Sequence, residues 1–539
     1  MPFLKRHILS LALLAQAGLL CFHIDLLPIW GDERYTLETA RLPPARILEA
    51  LRVDVHPPLY YFLVKGWLKL PLPGAELARA RELSLLFALL ATVAVYRLWL
   101  ANIRFRDRCL FLGLWVGSPF LLLYARMARS YTLQLLLAVI AIRTARDWLR
   151  SPRNARATAR YIFAAVALLY THYLPGLAVV TGTALVSLCR RQWRQLLALP
   201  AIALAYAPWL RTLIETSGMV ARGQPYQVSG NVLIAAAVRV AYTFTAFNFG
   251  ESIPPWGILL AAGVSPALLW ALWKAWRRTD RVPLLFLAVA GIAYFGASAW
   301  VTFAFLGARL LFLLPFYYLF LLRGLDTRRI AGLAAYAALV IVACGGLGSY
   351  YRKRDFLNKG YLVDYAAIAG RVAARSRGEP ALVLLDSHVS DAGYALHEAG
   401  FRGRVEILND AKNFDQALAE IRHHHPSLVW YIRYGRDLTP AGLHHHLEAE
   451  VSREYTVERH GAVPFSWIDR KAMQWLRMAE QPAYLVEVLE MRPRGPQERG
   501  KRSLERGYPS TGAWKGPLHL ISNAPKSPPG PCGCEPGEI

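Results

Sequence analysis

Trp30-Gly31-Asp32-Glu33-Arg34-Tyr35-Thr36 stands directly after the first strongly apolar run of the chain, residues 8–30. It is followed further on by Asp54-Val55-His56-Pro57-Pro58-Leu59-Tyr60-Tyr61. Both pieces are too polar to lie in hydrocarbon. Acids, a histidine, prolines and tyrosines therefore gather where a first membrane helix should emerge. Which side of a membrane they emerge on decides how the rest of the chain is read.

The chain has 539 residues, of which 55% are hydrophobic, 12% aromatic and 18% charged. That is too apolar for one soluble domain of this length and points to a multispanning membrane protein. The formal net charge is +25. A basic balance can signal nucleic acid, but here the arginines fall in short clusters between apolar runs, the pattern of cytoplasmic loops. That argues against a nucleic-acid partner. Six cysteines make no disulfide framework. Cys21, Cys109, Cys189 and Cys344 sit in or beside apolar segments, and Cys532 and Cys534 fall in a Pro/Gly-rich tail. Segment 8–30 is long for a signal peptide and lacks a small-x-small cleavage site, so it reads as a first span and anchor.

A spanning helix needs about 20 mostly apolar residues. Such segments lie near 8–30, 80–100, 109–124, 130–147, 160–175, 175–189, 195–213, 255–273, 282–302, 306–322 and 330–350, about eleven in all. Basic clusters follow every second one: Arg104, Arg106 and Arg108; the run from Arg143 to Arg160; Arg190, Arg191 and Arg194; Lys274 to Arg281; Arg323, Arg328 and Arg329. Those loops face the cytoplasm under the positive-inside rule. The other loops then face outward: 31–79, the turns near 124–130 and 171–174, and 214–254. An odd span count places the chain after Tyr350 outside as well. Residues 57–72 are short for a span and read as a helix at the outer interface.

The composition changes after about 352. Apolar runs 381–385, 405–408, 428–432 and 484–488 read as strands, and 391–399, 413–424 and 439–451 as helices, a small α/β domain. From 492 the Pro, Gly, Lys and Arg content predicts disorder. The expected fold is thus an α-helical polytopic membrane protein. It divides into a transmembrane domain over 1–350 with an outer loop at 31–79, a periplasmic α/β domain over 351–491, and a basic tail over 492–539.

Several residues could carry chemistry. Adjacent acids are commonly solvated loop charges, but Asp32 and Glu33 lie at the end of a span, where an ionisable group is costly and marks function. A carboxylate can act as general base toward a hydroxyl. Asp54 and His56 share that stretch, and Pro57-Pro58 restrict the backbone just after the histidine. They could bind a sugar hydroxyl or, with the acids, a divalent metal ion, although Asp54 could equally cap a helix beginning at the prolines. Arg126, Arg129 and Tyr131 lie in an outward turn, where positive charge runs against the topological bias. Arginine grips phosphate through a planar fork, and the competing reading is snorkelling to headgroups. His172 and Tyr173 mark another outward turn, and Arg309 opens the tenth span near the outer face. The histidine triplets 423–425 and 444–446 point in different directions on a helix and read as solvated faces. Residues 495–502 imitate a phosphate-binding loop, but Arg502 stands where a Ser or Thr is needed and no strand precedes it.

Taken together, Asp32-Glu33 after the first span, the Asp54-x-His56-Pro57-Pro58 stretch, Arg126 to Tyr131 and Arg309 resemble the GT-C superfamily of membrane glycosyltransferases. The branch is that of protein O-mannosyltransferases and aminoarabinose transferases, and the resemblance covers about residues 1–350. It implies transfer of a sugar, with inversion, from a polyprenyl-phosphate donor on the outer face of a bacterial inner membrane. It implies Asp32 as general base, Glu33 orienting or assisting it, and Arg126, Arg129 and Arg309 holding the carrier phosphate. Eukaryotic protein mannosyltransferases carry an inserted β-trefoil domain for which no loop here is long enough. The expected acceptor is therefore a cell-envelope glycan or lipid such as lipopolysaccharide. The alternative reading is a transporter or flippase of lipid-linked sugars, which should show paired internal repeats and mid-span charges; no such repeat is evident. A structural scaffold would leave Asp32, Glu33, Arg126 and Arg129 without a role.

Overall fold

The structure, a computed structural model, describes residues 2–52, 54, 56–151, 153–222, 232–278, 307–437, 442–475 and 480–494. The expected span at 282–302, the tail from 495 with its loop-like 495–502 stretch, and Cys532 and Cys534 lie outside these residues.

Helix α1 (Pro2–Cys21) ends earlier than the apolar run does. His23 takes a left-handed φ of 48°, and Pro28 lacks the N–H needed to continue a helix. The polar stretch that follows is no open loop. It folds as α2 (Gly31–Arg41), α3 (Pro44–Arg52) and α4 (Leu59–Leu68). Prolines punctuate the series: Pro44 opens α3 and Pro58 caps α4. Asp32 and Glu33 therefore stand in the first turn of a helix.

The helical body continues with α5 (Glu76–Leu98), α6 (Phe105–Val116), α7 (Pro119–Ala125), α8 (Tyr131–Arg150), α9 (Ala155–Leu169), α10 (Tyr173–Cys189) and α11 (Ala198–Arg222). It is completed by α12 (Val232–Phe249), α13 (Pro255–Arg278), α14 (Leu314–Gly324) and α15 (Ile330–Tyr351). Among the described residues, four helices are long and apolar enough to cross a membrane: Trp193–Glu215, Pro255–Arg277, Gly307–Gly324 and Ile330–Tyr351. A fifth arises if α6 and α7, bent by 52°, count as one. Three of the other expected spans meet helices that are too short or too charged. α9 and α10 have 15 and 17 residues, below the ~20 a span needs, and α5 carries Arg79, Arg81 and Glu82. Helix α12 falls inside the stretch expected as the outward loop 214–254, which is a correction. Its apolar run was masked by the polar residues around 222–231.

The basic loops meet at one end of the body. Lys5 lies 5.9 Å over the Phe105 ring, Arg146 lies 5.9 Å over Trp99, Arg106 donates to the Thr327 carbonyl and Arg143 to the Leu98 carbonyl. At the other helix ends Arg126 donates to the His23 carbonyl, Tyr351 to the Leu19 carbonyl, and Leu59 N–H to the Tyr170 carbonyl at 3.0 Å. The segregation follows the charge pattern read from the sequence.

Beyond α15, α16 (Tyr365–Arg375) leads into a five-stranded sheet. It comprises β1 (Ala381–Asp386), β2 (Arg404–Leu408), β3 (Leu428–Tyr434), β4 (Tyr455–Pro464) and β5 (Tyr484–Pro493) in the order β2-β1-β3-β5-β4. β1 pairs parallel with β2 and β3, whereas β5 pairs antiparallel with β3 and β4. Helices α17 (Asp391–Glu398), α18 (Ala411–His424), α19 (Leu443–Val451) and α20 (Trp467–Trp475) connect them. β4 and α20 were not expected from the sequence. β4 is an edge strand studded with Glu458, Arg459 and His460, charges that protect an edge and erase an apolar alternation. Of the histidine triplets, residues 423–425 are exposed as expected, but His444 is fully buried. It faces the sheet from α19 with Leu447 and Val451, and its ring touches the Tyr431 hydroxyl.

Candidate active site

The site is built from the first turn of α2, the α7–α8 turn and the segment before α4. Ser118 caps α7 by accepting from Leu121 N–H at 3.2 Å. α7 is too short to carry the chain across the body, so it ends at Arg126, and residues 126–130 turn into α8 inside the protein. Arg126 and Arg129 are 2% and 3% exposed. Snorkelling to headgroups is thereby excluded, since both guanidiniums are enclosed by protein.

Glu33 fastens this turn. Its carboxylate is fully buried, accepts from Arg81 at 2.9 and 2.7 Å, and accepts from the Ala128 N–H at 2.7 Å. Arg81 also donates to the carbonyls of Ile24, Leu27 and Pro28. The pair locks the α1–α2 connection to the arginine turn. Glu33 is thus enclosed, and no oxygen of it is left open.

Asp32 points the other way. Its side chain is 44% exposed, and its Oδ2 lies 3.5 Å from Nη2 of Arg129. Arg129 donates to the Asp32 carbonyl at 3.1 Å, to Thr36 Oγ1 at 3.0 Å and to His56 Nε2 at 2.7 Å. Arg129 has no acceptor atom, so Nε2 is the acceptor. The imidazole proton then sits on Nδ1 and is donated to Asp54 at 2.8 Å. Asp54, His56, Arg129 and Asp32 form one chain of charge-assisted contacts. Burial works against the charge of Arg129, but Asp32 and the surrounding hydroxyls and Asp54 hold its guanidinium well above its ordinary range.

His172 caps α10, its Nδ1 accepting from Leu174 N–H at 3.2 Å. Burial, with Arg309, His56 and Arg129 close by, pushes this imidazole well below its ordinary range, so it is neutral. Tyr173 accepts from Trp209 Nε1 at 2.9 Å. Tyr131 is buried and feels Arg129, Asp32 and Arg309. Arg309 stands in a short 3-10 helix, Gly307–Leu313, tied to α8 by Gln134 donating to its carbonyl at 2.9 Å. The structure therefore brings Asp32, Asp54, His56, Arg129, Tyr131, His172 and Arg309 into one neighbourhood. Arg126 stands apart from them. Its guanidinium lies 5.2 and 5.3 Å over the Tyr350 and Tyr351 rings, and its Nε and Nη1 are buried without a hydrogen-bond partner.

No family model matches the chain. No curated protein matches it either. Among solved structures the chain is similar to ArnT from Cupriavidus metallidurans, in the apo state and bound to undecaprenyl phosphate. The identity is 14% in both, with 89% of this chain and 96% of that chain covered, and the TM-scores are 0.47 and 0.49. At that level neither fold nor chemistry carries over from one chain to the other.

The sequence reading missed Glu251, which lies between α12 and α13. It is 1% exposed, and Tyr124 donates to its Oε1 at 2.5 Å. Tyr124 also meets the Tyr361 hydroxyl at 3.2 Å, and Tyr361 packs edge-on to Trp30 at 5.4 Å. Burial pushes the Glu251 carboxyl up to about 7 against hydrogen bonds from Tyr124 and Tyr242. The signal was present in Gly250-Glu251-Ser252, an acid closing the apolar run of α12. The criterion that found Asp32 would have found it had that run been read as a helix.

A divalent ion would suit Asp32, Asp54 and His56 by donor type. However, His56 Nε2 is taken by Arg129 and Nδ1 by Asp54, so the geometry does not fit a metal there. Among the described residues the acid and histidine ligand atoms that do cluster are those of Glu458, His460 and Glu490, in the sheet domain. Glu490 there is already paired with Arg375 and Arg492.

Proposed function

We propose that the protein is an inverting glycosyltransferase that moves a sugar from a polyprenyl-phosphate donor to a cell-envelope glycan or lipid on the periplasmic face of a bacterial inner membrane. The observation that carries this reading is a half-exposed carboxylate, Asp32, held 3.5 Å from a buried guanidinium, Arg129. Acid and cation of that kind are what the reaction separates. The acceptor hydroxyl gives its proton to Asp32 while its oxygen bonds to the anomeric carbon. The bond from that carbon to the phosphate oxygen breaks, and its electron pair leaves with the polyprenyl phosphate. Negative charge grows on the phosphate, where preorganised cations stabilise it most.

By this reading Arg129 and Arg309 are the cations that meet the departing phosphate. Arg126 stands apart from them; by this reading its two buried nitrogens without an acceptor bind the ground-state donor and not the charge that grows at the reacting phosphate. Asp54 and His56 hold Arg129 in place, with Tyr173 and the neutral His172 beside them as the groups we assign to the sugar. Glu33 acts by position, fixing both the helix that carries Asp32 and the turn that carries Arg129. The test is to supply membranes containing the protein with a radiolabelled polyprenyl-phosphate sugar. Label appearing in an envelope acceptor supports transfer. Label crossing the bilayer on an unchanged carrier would replace this reading with transport.

A further inference from the structure

Helix α2 begins without a cap of its own. Its N-cap residue is Trp30, which has no side-chain oxygen and makes no capping hydrogen bond. The first amides of a helix have no intrahelical acceptor. A partner arrives from the sheet domain, in the carboxylate of Asp391 at the start of α17. This carboxylate lies directly against Gly31, the first residue of the helix. The approach is so close that a Cβ at Gly31 would fall 2.5 Å from Oδ2 and 2.8 Å from Oδ1 of Asp391. A side chain at the position just before Asp32 would therefore force the Asp391 carboxylate to move.

The contact is reinforced one turn along. Arg34, 7% exposed, pairs with Glu398 of α17 at 2.8 Å, and Glu38 faces the same charges. The strand end that leads to Asp391 is anchored from behind. Asp386 closes β1 and is fully buried. It accepts from His388 N–H and His388 Nδ1, both at 2.9 Å, and from Tyr434 N–H at 3.0 Å, while His444 Nε2 lies 3.3 Å away. The parallel core of the sheet therefore fixes the turn that delivers Asp391. A desolvated carboxylate near Asp32 is not what fold stability alone would select. Burial and Asp32 raise its pKa while Arg34 opposes them.

We propose that Asp391 is a positioning residue for Asp32: the sheet domain caps the helix that carries the base and thereby sets where its carboxylate stands. This rests on the transferase reading above. Displacing a reacting group by about 1 Å costs up to about a hundredfold in rate. Removing the cap should therefore lower kcat and leave donor binding at the arginines untouched.

The test uses the full-length protein in lipid nanodiscs and follows two readouts, sugar transfer and amide hydrogen exchange over residues 30–35. Asp391→Ala should lower kcat roughly tenfold to a hundredfold, with the KM for donor held within about twofold and exchange over 30–35 accelerated. Asp391→Asn keeps an acceptor for the Gly31 N–H and should restore most of the protection and most of kcat. A merely structural role would instead lower thermal stability in both variants and leave Asn no better than Ala. Unchanged kcat, or unchanged exchange, in Asp391→Ala overturns the proposal. If the wild type transfers no sugar, the transferase reading fails, and faster exchange in Asp391→Ala alone then decides whether the cap exists.

Discussion

Replacing Glu33 by leucine leaves Arg81 charged, 2% exposed and without its carboxylate. Both partners lie in the interior, joined by bonds of 2.9 and 2.7 Å, and Glu33 additionally holds the Ala128 N–H. Breaking a buried pair by removing one partner costs about 3–5 kcal/mol, chiefly because the other charge is stranded. Taken wholly on the unfolding rate, 3 kcal/mol is on the order of a hundredfold. The assay is the half-life of the detergent-solubilised protein at a fixed temperature, measured for Glu33→Leu, Arg81→Leu and the double variant. Each single variant should lose its fold on the order of a hundredfold faster than wild type. The double variant should outlast both, because no stranded charge remains. If the double variant decays as the sum of the singles, the two residues act independently and the anchoring role given to Glu33 is wrong.

Further outcomes follow from the same geometry. Arg126→Lys keeps the charge but loses the planar fork, and should raise the donor KM by roughly tenfold with kcat little changed, as read in initial-rate kinetics. Gly31→Ala places a methyl against the Asp391 carboxylate, and should lower transfer and accelerate exchange over 391–398 without altering donor affinity. The Glu251 carboxyl, raised to about 7 in the folded protein from an ordinary 4.5, makes the folded state bind the extra proton between those values. Stability from this group is therefore greatest below about pH 4.5 and declines as pH rises toward 7. Glu251→Gln should flatten that decline in melting temperatures recorded from pH 5 to 8.

The helical body with an appended α/β unit was legible because its apolar runs and basic clusters are long-range patterns that local structure cannot disguise. The strands at 381–386 and 428–434 were legible because a strand buried on both faces is apolar throughout. What escaped notice depended on tertiary contact. Nothing local in Trp30-Gly31-Asp32-Glu33 says that its helix is capped from residue 391, or that Glu33 turns inward while Asp32 turns out. Arg81 was hidden at the start of the apolar stretch read as 80–100, and its partners, Glu33 and the carbonyls of residues 24–28, come from a distant part of the chain. Glu251 was overlooked because the helix before it was read as loop. Asp32, Asp54, His56, Arg129, His172 and Arg309 were each named as candidates from their order along the chain, but the contacts that join them were not legible there. Nor was the place of Arg126, apart from that group and over Tyr350 and Tyr351.

The central claim is that Asp32 takes the acceptor's proton. Asp32→Asn keeps the size and the contact toward Arg129 but cannot act as a base. The deciding measurement is sugar transfer from labelled polyprenyl-phosphate sugar by wild type and Asp32→Asn at equal protein in the membrane. The account predicts a loss of about a hundredfold or more with donor binding retained. Equal rates in the two proteins would contradict it and move the base to another carboxylate, such as Asp54.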